Sequence, residues 1–339
     1  MALPPVQDWP AHYGPGVIHD RCRDATDYVA VTSPSAWRAV EPHLPAPARH
    51  VAFVASQEEE ATEALLAGLP RTEYVLGIGG GIAVDTAKYV AWKTGSRLIL
   101  VPTIVSSGAI FQPHFPRRRN GKCTILSDIA APELVVFDTD IISAAPPHLN
   151  AAGMAECICW LGHVASWQWW CEQGLPGPEW DQGAVDEVHE WVASRTEQYV
   201  GDLDEEGRPG TTAIRVCAEV NRERWGLRLG KLGAGHGLDH LLDNTFVRVH
   251  ERNLLHGELV ALGTLITCLA YAADPDLSRR RFDACGTRYL PVEIGCTWDE
   301  VRDTIAAIPL NADELGWPAT CLHHRELDFD RVVKRIEAG

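Results

Sequence analysis

Five short apolar runs, separated by helix-like stretches, constrain the first half of this chain more than any other feature. "YVAVTS" from Tyr28, "HVAFVAS" from His50, "YVLGI" from Tyr74, "RLILVPT" from Arg97 and "LVVFD" from Leu134 are apolar on both faces. A strand with one wet face alternates apolar and polar residues; these do not. They predict a parallel sheet covered by helices on both sides. The intervening "QEEEATEALLAGL" opens with acids, where a helix dipole favours them, and "IAVDTAKYVAWKTG" has helical apolar spacing. Beyond about residue 150 the strand signals stop. "LNAAGMAECICWLGHVASWQWW", "GAVDEVHEWVASRTEQYV" and "ELVALGTLITCLAYAA" read as long helices, and the Gly/Pro-rich "CEQGLPGPEWDQG" as a connection between two of them. The expectation is an α/β domain over 1–148 followed by an all-α domain over 149–339.

A chain of 339 residues can bury two such cores. Its net charge of −16 argues against nucleic-acid or anionic-membrane partners, which reward clustered Lys and Arg. A small anionic substrate in a local basic pocket stays compatible with that charge. "MALPPVQDWPAHYG" has no basic segment leading into an apolar core, and no apolar run reaches the roughly 18–20 residues that span a bilayer. Ten cysteines occur without paired C-x-x-C spacing, so they read as reduced, mostly buried thiols. A cytoplasmic protein acting on a small molecule is expected, with a homodimer allowed but not required.

"GIGGGIAVDTAK" sets Gly79, Gly80 and Gly81 between a buried strand and a helix. Glycines let the backbone approach a phosphate, and the helix N-terminus supplies N–H donors and positive potential. The pattern is neither G-x-G-x-x-G nor a P-loop, and a bare Gly-rich turn of this kind is equally well a tight connection.

The longer stretch "GGGIAVDTAKYVAWKTGSRLILVPT", with "VVFDTDIISAAPPHLNAAGMAE" after it, resembles the superfamily of iron-containing alcohol dehydrogenases, glycerol-1-phosphate dehydrogenases and 3-dehydroquinate synthases. The resemblance runs from about Tyr28 to Gly263. It implies a Rossmann-like NAD(P)-binding α/β domain followed by a helical metal-binding domain, the dehydroquinate synthase-like fold. It assigns Gly79, Gly80, Gly81, Asp85, Lys88, Thr103, Ser106 and Ser33 to cofactor binding. It also implies one divalent metal, zinc foremost with iron or nickel as alternatives. The ligands would be Glu156 of "AGMAE", His236 of "GHGLDH" and His256 of "LLHGE". Two imidazoles and a carboxylate fix such an ion and leave a position open for a substrate oxygen. His240, four residues after His236, would share its helix face and suits a proton relay or substrate hydrogen bond. His163, His189, His250, His323 and His324 read as ordinary surface or core histidines, and the six tryptophans between Trp160 and Trp191 as core.

Two branches of that superfamily compete. Glu156 matches the synthases, as does "GLR" ending at Arg228, but their lysine three residues after the ligand is Cys159 here and their Gly-Gly-Lys-Thr-Gly segment is missing. Those losses disfavour a sugar-phosphate cyclase using bound NAD. The dehydrogenase reading is a metal-dependent NAD(P)(H) oxidoreductase interconverting an alcohol and a carbonyl. "IVSSGAIFQ" lacks the acid that glycerol enzymes carry there, so an anionic substrate (phosphate, phosphonate or carboxylate) is expected instead, held by Arg119, Lys122 and Arg228. "FQPHFPRRRNGK" reads as a loop. No acid follows "YVAVTS", which leaves both NAD(H) and NADP(H) open. A third possibility is a family member that binds nucleotide or metal without chemistry.

Overall fold

The computed structural model describes residues 8–120, 122–233 and 237–338. All five expected strands form, and they lie side by side in one six-stranded sheet. Its strands are β1 (Ala11–Gly14), β2 (Tyr28–Thr32), β3 (His50–Phe53), β4 (Tyr74–Gly79), β5 (Arg97–Pro102) and, after two strands outside this sheet, β8 (Leu134–Asp138). The order is β1-β8-β5-β4-β2-β3 and every pairing is parallel. The central strands β2 and β4 are buried along their full length, as two covered faces require. Strand β1 escapes sequence reading because "AHYG" is short and mixed; it earns its place by pairing with β8 in register, Ala11 opposite Val135.

The expected Arg-rich loop is an antiparallel hairpin, β6 (His114–Arg119) with β7 (Lys122–Ser127). Asn120 turns it with a φ of 52°. The Asn-Gly dipeptide, a strong hairpin signal, stood in the sequence behind the run of charges.

Contacts divide the chain into two compact units. One holds the described residues up to Asn150 together with Asp202–Ala218, and the other holds Ala151–Gly201 and the chain from Glu219 onward. The segment 202–218, expected in the helical domain, therefore packs with the sheet. The second unit is built from helices, including Trp160–Glu172, Gln182–Val200, Asp239–His250, His256–Ala270 and Trp298–Leu315. No described helix is long and apolar enough to cross a membrane. All ten cysteines are free, and all but Cys123 and Cys171 are buried.

The expected long helix from Leu149 is broken. A 3₁₀ turn, Ala152–Met154, separates Pro147–Ala151 from Ala155–Ile158. The start of the His256–Ala270 helix presses on that turn: a Cβ on Gly257 would lie 2.0 Å from the Ala152 carbonyl oxygen. Only glycine permits this approach. Gly263, six residues on, does the same against the Asp239 backbone, where a Cβ would come within 2.6 Å of Cα. These two crossings seat the heads of three helical segments against one another, and their side chains make the site.

Candidate functional site

Glu156 sits in the short Ala155–Ile158 helix with its side chain only 2% exposed. Three cationic or donor side chains converge on it. His256 Nε2, from the first residue of its helix, is 3.0 Å from Glu156 Oε1, and His240 Nε2 is 3.4 Å from Oε2. The Arg224 guanidinium, 7% exposed, is hydrogen-bonded to Oε2 through Nη1. Burial alone would raise the Glu156 carboxyl, but Arg224 and the two imidazoles hold it well below the usual carboxylate range. Ligand atoms of Glu156, His240 and His256 all lie within 4.8 Å of one another.

Each imidazole is braced from behind. His256 Nδ1 is 3.0 Å from Asp243 Oδ2, and His240 Nδ1 is 2.8 Å from Asp239 Oδ1. Asp239 and Asp243 are one turn apart on the Asp239–His250 helix, so one face of it supplies both carboxylates. Burial would lower both histidines; Asp243 and Glu156 outweigh it at His256, and Asp239 and Glu156 raise His240 to about 9. A buried carboxylate ligand, imidazole Nε2 atoms turned toward it and carboxylates on the opposite Nδ1 atoms form a donor set that fits a divalent metal. His236 lies outside the described residues.

The other expected residues divide sharply. Gly79, Gly80 and Gly81 follow β4 and start the Gly81–Thr94 helix, with Gly79 at a φ of +139°. Their surroundings are tight: a Cβ on Gly79 would be 3.4 Å from Ala36 Cβ, one on Gly80 3.0 Å from Ile104, and one on Gly81 3.0 Å from Ser107 Oγ. Thr103 N–H donates to the Gly79 carbonyl at 3.2 Å. The turns after β2, β4 and β5 therefore form one cluster. Strand β2 leads to β3 on one side and β4 leads to β5 on the other, so the sheet reverses its winding between β2 and β4. The glycine turn and Ser33 flank that reversal, where open α/β sheets bind ligands. Ser33 Oγ caps the following helix by accepting the Ala36 N–H, and no acid stands at this end of β2. Ser106 is buried beside this cluster, and Asn150 Oδ1 accepts the Val105 N–H at 3.1 Å, holding the turn.

Asp85 and Lys88, expected at the cofactor, pair with each other. Lys88 is fully buried, 2.6 Å from Asp85 Oδ1, and donates to the carbonyls of Ala109 (2.9 Å) and Gln112 (2.6 Å). Three ammonium protons meet three acceptors, so the lysine is a tie between the helix and the chain after β5. Burial lowers its pKa and Asp85 opposes that.

Arg119, with Arg117, is ion-paired to Glu59, and Lys122 is exposed at the start of β7. Arg228 is largely exposed, 3.9 Å from Asp181. The arginine at the centre is Arg224, which sequence reading missed. Also missed was His163, whose Nε2 is 2.9 Å from Asp239 Oδ2. Of the histidines read as background, His250 is satisfied by the Glu300 carbonyl and Thr304, both at 3.1 Å. Trp160, Trp167, Trp169 and Trp191 are buried, whereas Trp180 is exposed.

Residues 16–146 match the iron-containing alcohol dehydrogenase family. The glycerol-1-phosphate dehydrogenase [NAD(P)+] of Thermoplasma volcanium is 25% identical over 279 residues, 82% of this chain and 76% of that protein. That of Methanothermobacter thermautotrophicus is 27% identical over 322 residues, 89% of this chain and 83% of that protein. Among solved structures, a probable glycerol dehydrogenase from Sinorhizobium meliloti superposes with a TM-score of 0.67 at 20% identity, covering 97% and 95% of the two chains. The sheet order, the glycine turn at its winding reversal and these relationships agree: residues 16–146 carry the match to the iron-containing alcohol dehydrogenase family, and most of the chain is similar to glycerol-1-phosphate dehydrogenases.

Proposed function

We propose that this protein is a metal-dependent NAD(P)(H) oxidoreductase that interconverts a secondary alcohol and a ketone on a small phosphorylated substrate. Glycerol-1-phosphate and its three-carbon keto phosphate are the pair to test first. The observation that carries the reading is the buried Glu156 carboxylate facing His256 and His240, each imidazole braced by its own aspartate. The phosphorylated substrate rests on the relatives, which are named glycerol-1-phosphate dehydrogenases.

In this reading Glu156 and His256 hold the metal together with His236, the third ligand implied by the resemblance. Bound there, the ion supplies Lewis acidity at a carbonyl or alcohol oxygen, and the nicotinamide supplies or takes the hydride. The rest is done by the chain's own groups. Asp243 and Asp239 hold protons at the Nδ1 atoms of His256 and His240, leaving the Nε2 atoms turned to the centre. His240 Nε2 exchanges the alcohol proton. Arg224 keeps Glu156 ionised. The N–H groups that open the Gly81–Thr94 helix receive the pyrophosphate, and Thr103, Ser106 and Ser33 border that turn.

A second arrangement is favoured by one observation, that Glu156, His240 and His256 already share a 4.8 Å neighbourhood. There His240 is itself a ligand. Metal content decides: loss in His236→Ala with retention in His240→Ala supports the first arrangement, and the converse the second. The cyclase alternative predicts phosphate release with no net NAD(P)H change. Steady oxidation of NAD(P)H by the keto phosphate supports the oxidoreductase, and phosphate release without it refutes it.

A further inference from the structure

The centre has an outer arm that the family resemblance does not mention. Asp239 is 2% exposed and both its oxygens are engaged: Oδ1 with His240 Nδ1 at 2.8 Å, Oδ2 with His163 Nε2 at 2.9 Å. His163 stands seven residues after Glu156 and is itself 17% exposed. The fold closes tightly over this pair. A Cβ on Gly237 would lie 2.5 Å from Asp239 Oδ2 and 3.0 Å from His163 Cδ2, so the glycine leaves room for the contact. The Asp239 backbone is pinned from the other side by Gly263, and the Leu238 N–H donates to Thr267 Oγ1 at 2.9 Å. The Trp160 ring packs 5.5 Å from the His163 ring.

Cys159, His163, Asp239 and His240 also lie within 4.8 Å of one another, which raises a second metal as an alternative. The pairing decides against it: His163 and His240 meet different oxygens of Asp239, as two hydrogen bonds do, and Cys159 Sγ is turned to the Glu156 carbonyl oxygen at 3.6 Å.

We propose that His163 is a positioning residue: by holding Asp239 Oδ2, it aims Asp239 Oδ1 at His240 and fixes the ring that faces the centre. Without it, the buried carboxylate keeps only the contacts of Oδ1, with the His240 backbone N–H at 2.6 Å and Nδ1 at 2.8 Å; Oδ2 loses its imidazole partner, the carboxylate plane can turn about Oδ1, and the His240 ring is held less firmly. The proposal takes from the preceding section only that His240 faces Glu156.

Two readouts test it on the full chain. In metal-free protein labelled with ¹⁵N-histidine, the hydrogen-bonded Nδ1–H of His240 gives a protected, downfield resonance, assigned by its disappearance in His240→Ala. The expected result is loss or broadening of this resonance in His163→Ala and its retention in His163→Gln, whose amide N–H₂ replaces the Nε2 donor. Should the alanine variant not fold, His163→Phe, which fills the space without a donor, takes its place. An unchanged resonance in the alanine or phenylalanine variant overturns the proposal. Metal affinity by chelator competition is the second readout: His163→Ala should weaken binding about tenfold, with His163→Gln within about twofold of the wild type. Wild-type protein that binds two equivalents and falls to one in His163→Ala also overturns it. Wild-type protein that binds no divalent metal refutes the proposed function instead, and the His240 resonance still decides the role of His163.

Discussion

Replacing Arg224 by methionine tests the electrostatic account of the centre most severely, because one change has opposite effects in metal-free and metal-loaded protein. Arg224 and Glu156 are 7% and 2% exposed, so among the described residues the variant leaves a buried carboxylate with His256 at 3.0 Å and His240 at 3.4 Å as partners. Removing one member of a buried pair costs about 3–5 kcal/mol; with two imidazoles remaining, the lower end, about 3 kcal/mol, is expected. At roughly 2 cal/mol/K of unfolding entropy per residue, that lowers the Tm of metal-free protein by about 4 °C if the chain unfolds as one, and by about twice that if the helical unit unfolds alone. A divalent ion replaces the missing positive charge, so the loaded variant should lie much nearer the wild type. Linkage then requires the variant to bind metal more tightly, by more than about tenfold. Differential scanning calorimetry with and without EDTA, together with chelator competition, measures both effects. A metal-free variant as stable as the wild type, or one that binds metal more weakly, would refute the reasoning.

Further outcomes follow from the same geometry. His240 is raised to about 9 in metal-free protein from an ordinary 6.5, so the stability it contributes is fully present below pH 6.5 and is lost as pH rises toward 9. Metal affinity should climb over the same interval because a divalent ion at Glu156 and the imidazolium of His240 repel each other; flat profiles of both between pH 6.5 and 9 would count against the assignment. Glu156 has the opposite sign: its folded pKa is depressed, so its contribution is present above its unfolded value of 4.5 and is lost below it. Gly257→Ala, with a Cβ 2.0 Å from a backbone carbonyl oxygen, should yield little folded protein, which expression and circular dichroism would check. Gly79→Ala places a side chain at a φ of +139°, costing about 1–3 kcal/mol of backbone strain and raising the KM for NAD(P)H more than that for the carbonyl substrate. Arg119→Ala should leave the substrate KM within about twofold, because Arg119 is exposed and already engaged with Glu59.

Much of the fold was legible because its strands are short, apolar and separated by stretches of helical spacing. "YVLGI" and "LVVFD" admit few alternatives to buried parallel strands, and the glycine turn marks where one strand hands over to a helix. The hairpin formed by Arg117–Arg119 with Lys122–Thr124 was hidden by its charges, although an Asn-Gly dipeptide stood in the sequence. The 3₁₀ break at Ala152–Met154 could not be read, because the segment packed against it starts near Gly257, about a hundred residues away. Glu156 and His256 stood out through their local motifs. Arg224 did not: Arg222, Arg224 and Arg228 look alike in "NRERWGLRLGK", and only the packed helices show which one reaches the carboxylate. His163 had a faint signal, two helical turns after Glu156, on the face that a helix presents inward. Asp239 and Asp243 had a clearer one, a one-turn spacing that supplies each imidazole with its own carboxylate.

The most direct test of the central claim is the rate of NAD(P)H oxidation with the three-carbon keto phosphate, followed at 340 nm before metal removal, after EDTA and after zinc is restored, in wild type and Glu156→Gln. The account predicts that wild-type activity disappears with EDTA and returns with zinc, and that Glu156→Gln is inactive throughout and retains little metal. Wild-type activity that survives metal removal, or a Glu156→Gln variant that turns over normally, would contradict it.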